Sequence, residues 1–141
     1  MNHLAHTAHD MLSNMTPTLQ VGIFVFCTTT DAGLAASCAR RAISFFDEPE
    51  GRSFILSASD AEALGFDCST RMRQITLQVY SALDGVGLTS AVATILAGQN
   101  IPCNVVAAYH HDHIFVPESL AEPALAALKA LQSKSSSDPV P

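Results

Sequence analysis

From Gln74 onward the chain changes its hydrophobic period in a fixed order, and that order constrains the fold more than any other feature. Residues Gln74-Ile75-Thr76-Leu77-Gln78-Val79-Tyr80 alternate apolar Ile75, Leu77 and Val79 with polar neighbours. Strict alternation is the mark of a half-buried strand. A glycine-bearing loop, Leu83 to Gly87, follows. Leu88, Ala91, Val92, Ile95 and Leu96 then recur at the spacing of one helix face, with Gly98 at the end. Residues 105–109 and 113–116 read as two strands joined by His110-His111-Asp112. Ala124, Leu125, Leu128 and Leu131 mark a last helix. Ser119 and Glu122 stand at capping-box spacing before it, and Pro123 is tolerated in its first turn. The order is β-α-β-β-α. A βαβ unit followed by a hairpin places two helices on one face of a sheet, so the expected class is a ferredoxin-like α+β sandwich.

The first half repeats this order in weaker form. Residues 22–28, β-branched and aromatic, predict a strand. Residues 29–41 are small and polar and read as a loop or a single helical turn. Residues 42–46 and 53–57 form a hairpin around the polar turn Asp47-Glu48-Pro49-Glu50-Gly51. Ser59 and Glu62 open a short helix that Gly65 ends. The chain therefore divides into an N-terminal extension, 1–17, with a short helix over 3–15 stopped by Pro17. A degenerate first half follows over 18–70, then a second half over 71–132 and a disordered tail over 133–141. Two complete βαββαβ units need about eight strands, and the sequence shows fewer. Either a strand is shared between the halves or a sheet completes itself on another chain. A homodimer is expected, joined through a strand edge or the helix 87–98.

Composition narrows the partners. The chain is 48% hydrophobic and 14% charged, which excludes a disordered protein. No apolar run approaches the roughly 18 residues of a membrane span, and the start carries His and Asp where a secretory leader carries Lys or Arg. Seven basic residues face 13 acidic ones, for a net charge of -6. That leaves no basic face for nucleic acid or for an anionic membrane. Cys27, Cys38, Cys68 and Cys103 contain no C-x-x-C clip, so reduced thiols and a cytoplasmic setting are expected.

The run Asp84-Gly85-Val86-Gly87-Leu88-Thr89-Ser90-Ala91-Val92 resembles the opening of ACT domains: an Asp, two further residues, a Gly, then an amphipathic helix. Residues 96–101 resemble the helix end and the lead into the second strand. Residues 104–117 resemble the second hairpin of the small bacterial tandem-ACT proteins. Residues 24–28 and 46–51 resemble that subfamily's first half. ACT domains commonly carry Pro before the glycine, where this chain has Val86. The resemblance spans most of 18–132. It implies a tandem ACT-like repeat with a degenerate first half, acting as a regulatory module that binds an amino acid or similar small zwitterion at an interface between domains or subunits.

The chemistry of that loop suits such a ligand. The free amides and positive end of a helix N-terminus suit a carboxylate. Gly85 and Gly87 let backbone approach it, and Asp84 meets an ammonium. Asn104 both donates and accepts hydrogen bonds. The candidate ligand-binding residues are thus Asp84, Gly85, Val86, Gly87, Leu88, Thr89 and Asn104. Read without the resemblance, the same glycines serve a strand-to-helix turn alone. No catalytic residue, cofactor or metal is expected. Gly85-x-Gly87 lacks the third glycine of a dinucleotide fingerprint, and no phosphate-loop lysine follows. The serines lie in no nucleophile elbow. His110, His111 and His113 have no distant partner to complete a metal set, and neither do His3, His6 and His9. The alternative to a ligand-binding protein is a non-catalytic interaction protein without a ligand.

Overall fold

The structure, a computed structural model, describes residue 12, residues 14–78 and residues 87–137. These form two compact units: one of residues 21–72, the other of the N-terminal residues through Gln20 together with Arg73 onward. Each is an α+β assembly of antiparallel strands and helices of the kind expected of a ferredoxin-like fold.

The unit 21–72 contains β2 (Phe24–Thr29), α1 (Ala32–Ala39), β3 (Ser44–Glu48), β4 (Gly51–Ser57) and α2 (Ala58–Ala63). The strand order is β3-β4-β2, both pairings antiparallel, and Phe24 also pairs with Met72. Val25, Cys27, Phe54 and Leu56 all point to one face, as alternation requires. They form the core with Cys38 of α1 and with Ala58 and Ala61 of α2. The segment expected to be a loop or single turn at 29–41 thus holds an eight-residue helix. Its N-cap is Asp31, whose Oδ2 accepts from the Leu34 amide at 2.7 Å. A cap of this kind contributes about 1 kcal/mol. At α2 the cap is Ser57, not Ser59: Ser57 Oγ accepts from the Asp60 amide at 3.1 Å. Gly65, with φ +86°, follows the helix end as expected.

The other unit contains β1 (Thr16–Leu19), β5 (Met72–Gln78, entering at Arg73), α3 (Leu88–Gly98), β6 (Asn104–Ala107), β7 (Asp112–Pro117) and α4 (Ala121–Ser137). A single 3₁₀ turn, Glu118–Leu120, leads into α4. Strand order is β1-β5-β7-β6. β1 runs antiparallel to β5 from Thr16↔Gln78 to Leu19↔Ile75. Here the sequence predicts a helix stopped at Pro17 and no strand. Pro17 is tolerated because proline's missing N–H is harmless on an edge strand. Leu88, Val92 and Leu96 of α3 and Ala124 and Leu128 of α4 are packed on Ile75, Leu77, Ile114 and Val116, with Met15 among them.

Helix α3 ends at Gly98 as expected, and the chain turns away through Asn100, left-handed at φ +59°. α4 continues to Ser137, so residues 133–137 are helical where a disordered tail was expected. The expected helix over 3–15 lies largely outside the described residues, as do Val79 and Tyr80 of the expected strand 74–80. No helix among the described residues is long and apolar enough to cross a membrane.

Candidate functional site

Of the seven residues singled out in the sequence, Asp84, Gly85 and Val86 lie outside the described residues. Gly87 is the N-cap of α3 and adopts φ +106°, ψ -19°, a left-handed conformation that a residue with a Cβ resists. Its carbonyl accepts from the Ala91 amide at 2.9 Å. Among the described residues no side chain caps α3, and its first turn holds no acidic residue. The contrast with the first half is direct. There the start of α1 is occupied by the chain's own carboxylate, Asp31, and the start of α2 by the Ser57 hydroxyl. In the second half no side chain among the described residues accepts from the corresponding amides. Orphan amides at a helix start carry partial positive charge and suit an external carboxylate.

Leu88 and Thr89 then divide in role. Leu88 is 4% exposed and belongs to the core, so only its backbone can face a ligand. Thr89 is exposed.

Asn104 opens β6, an edge strand of its unit, and is exposed, with Nδ2 donating to the Phe115 carbonyl at a long 3.5 Å. The 11 residues of α3 span about 16 Å at the helical rise. The chain leaves the far end, where the Ile101 amide donates to the Leu96 carbonyl at 3.0 Å. Asn104 follows only three residues later, at the opposite end of the helix from Gly87. The sequence names both residues as candidates, and the length of α3 stands between them along the chain.

A polar cluster that the sequence reading missed lies on β5 and β7. His113 Nδ1 is 3.0 Å from both Gln74 Nε2 and Thr76 Oγ1. Gln20 Nε2 donates to Thr76 Oγ1 at 3.1 Å. Burial, and then the neighbouring His111, push the His113 pKa down, while Asp112 opposes this. Burial raises the Asp112 carboxyl. The alternating polar residues of β5 were a visible signal, but their partner histidine is 37 residues away from Thr76.

Nothing in these groups assembles a catalytic set. Burial, with Cys38 and Cys68 adding to it, pushes the Cys27 thiol to about 11, so it stays protonated at neutral pH and is a poor nucleophile. Ser57 is engaged at the α2 cap, with Ser59 Oγ 3.3 Å from it. Asp47 is bound by Arg52, which holds its carboxyl below the usual range, and Glu48 is bound by Ser53. Among the described residues no group of three His, Cys, Asp or Glu side chains could hold a metal ion.

Comparison with known proteins agrees with this fold. Residues 7–73 match the ACT domain, and residues 69–130 match a second ACT domain. The chain is 42% identical to a Vibrio cholerae protein of unknown function, described as a possible transport protein, over 88% of this chain and 94% of that one, with a TM-score of 0.79. The regulatory subunit of aspartate kinase from Thermus thermophilus has the same fold at 11% identity, with a TM-score of 0.56 and coverage of 84% and 98%. The aspartate kinase of Clostridium acetobutylicum is similar over 85% of this chain but only 34% of its own length, at 9% identity and a TM-score of 0.60. No functionally curated protein matches the chain. The protein belongs to the ACT domain family and carries two such domains in tandem.

Proposed function

We propose that this protein is a stand-alone ACT regulator that binds an amino acid or similar small zwitterion through the loop Asp84–Thr89, without catalysis. The family assignment and the aspartate kinase regulatory subunits of the same fold support a regulatory, non-catalytic role. The observation that carries the ligand reading is the contrast between the two helix starts. Asp31 fills that of α1, whereas α3 begins at a left-handed Gly87 with no side-chain cap among the described residues. A ligand carboxylate at α3 would occupy the position that Asp31 occupies at α1, and Asp84 would meet the ammonium. Asn104 stands at the other end of α3, so it reaches the same ligand only when a second copy of the chain supplies it.

The test is a thermal-shift screen of the amino acids. A ligand at about 100 times its dissociation constant stabilises the folded state by roughly 2.7 kcal/mol. For a chain of this size that raises the melting temperature by about 5 °C. Asp84→Ala is expected to abolish the shift and to leave the unliganded melting point nearly unchanged. If no amino acid at millimolar concentration moves the curve, or the shift survives Asp84→Ala, the interaction-protein reading replaces this one.

A further inference from the structure

Three polar side chains converge on the ring of His113, and their hydrogen bonds all run one way. Gln20, the residue after β1, donates from Nε2 to Thr76 Oγ1 at 3.1 Å. Thr76 Oγ1 and Gln74 Nε2, both on β5, each lie 3.0 Å from His113 Nδ1 on the neighbouring β7. The Thr76 oxygen accepts from Gln20, so its own proton is left for the ring. The charges acting on this ring come from His111 and Asp112 beside it in sequence. Among the described residues β5 and Gln20 bring to it only amides and a hydroxyl, and β6 sets Val106 opposite.

We infer that these four residues are a proton-operated latch on β1: protonation of His113 turns the chain of hydrogen bonds against itself and releases Gln20 from β5. The neutral ring accepts at Nδ1, whereas the protonated ring donates there. Gln74 Nε2 then faces it donor to donor. Thr76 keeps its bond to the ring only by turning its oxygen that way, and its own proton then needs a new acceptor. Thr76 is 3% exposed, so water offers little, and the group beside it is the Gln20 amide, which presents N–H. Both glutamines must turn over or let go. A buried donor left unmet costs more than the bond was worth on balance, so the network does not absorb the proton unchanged.

β1 is the element placed to yield. It has four residues, and among the described residues it pairs with β5 alone. Its ladder ends where the latch sits: Leu19 lies opposite Ile75, and the Gln20 amide then donates to the Gln74 carbonyl at 2.8 Å. The Gln20 carbonyl accepts from Arg73 Nη2 at 3.0 Å. The residue whose side chain must turn over thus also carries the last backbone bonds of a short edge strand, and such ends open at lower free energy than core strands. Burial of the His113 ring disfavours its charged form. The latch is therefore closed at neutral pH and opens below the ordinary histidine range. It needs no ligand.

The experiment follows the His113 ring nitrogens and backbone amide exchange by nuclear magnetic resonance in the full chain, from neutral pH down to about pH 4.5, below the usual histidine range. At neutral pH the ring is expected to carry its proton on Nε2. As it titrates, protection of the Gln20 amide, corrected for the intrinsic pH dependence of exchange, should fall on the order of tenfold more than that of the β4 amides. His113→Gln should keep Gln20 protected throughout. Thr76→Val should leave His113 titrating but remove the link to Gln20, and Thr76→Ser should restore it. A proton on Nδ1 at neutral pH overturns the inference, as does a ring that stays neutral until the chain unfolds. So does Gln20 protection that ignores the titration, an equal loss in β4, or a loss that persists in His113→Gln or Thr76→Val. The amino-acid melting shift is read separately at neutral pH, so failure of the latch and failure of the ligand reading are distinct results.

Discussion

Thr76 donates its hydroxyl proton to His113 Nδ1 across 3.0 Å. The direction follows from the neighbours. Gln20 Nε2 is a donor and spends it on Thr76 Oγ1, and Gln74 Nε2 is a donor that also points at Nδ1. The ring nitrogen between them must accept, so His113 is neutral and carries its proton on Nε2.

The first prediction concerns pH. Burial lowers the folded-state pKa of His113 from its ordinary 6.5, His111 adds to this, and Asp112 opposes it. The unfolded chain then binds more protons than the folded one below about pH 6.5, so stability rises with pH there. The His113 contribution is complete above its unfolded pKa and is lost as pH falls toward the lowered folded value. Asp112, raised by burial above 3.8, acts with opposite sign in the carboxylate range. Melting temperatures between pH 7 and 5 should fall, and His113→Gln should flatten that slope. An unchanged slope would show that this ring does not carry the proton linkage.

Leu88 separates packing from binding. It is 4% exposed in the core, and Leu→Ala at such positions costs about 2–5 kcal/mol. Leu88→Ala should therefore lower the denaturation midpoint by that amount, whereas Thr89→Ala, at the exposed next position, should stay within about 0.5 kcal/mol. Urea titration of the two variants compares them directly.

Gly87 tests the backbone. At φ +106° a β-branched residue is strained, and Gly87→Val is expected to cost about 1–3 kcal/mol. Gly98, helical and with nothing near an added Cβ, behaves oppositely: Gly98→Ala should stabilise by about 0.5–1 kcal/mol. Equal effects at the two glycines would contradict the left-handed assignment.

Ser57 and Ser59 distinguish the observed cap from the expected one. Ser57→Ala removes the acceptor for the Asp60 amide and should cost about 1 kcal/mol. Ser59→Ala should cost less, because Ser59 holds no cap amide. Chemical denaturation of both variants measures the difference.

What was legible in the sequence was local. The period of Ile75 and Leu77 and the helical spacing of Leu88, Val92 and Leu96 record which side chains leave water, and those are the buried residues. The hairpin around Pro49-Glu50 and the two-domain resemblance rest on residues near each other in the chain. Tertiary structure decided what no local period records. Thr16–Leu19 becomes a strand because β5, some 60 residues later, offers an unpaired ladder from Gln78 to Ile75. The helix at Ala32–Ala39 has small residues and a weak apolar face of its own. It is held by Asp31 at its start and by packing Cys38 against Val25 and Phe54. Gly87 and Asn104 are separated because a helix of fixed rise stands between them, and only the direction of that helix fixes which end each residue meets.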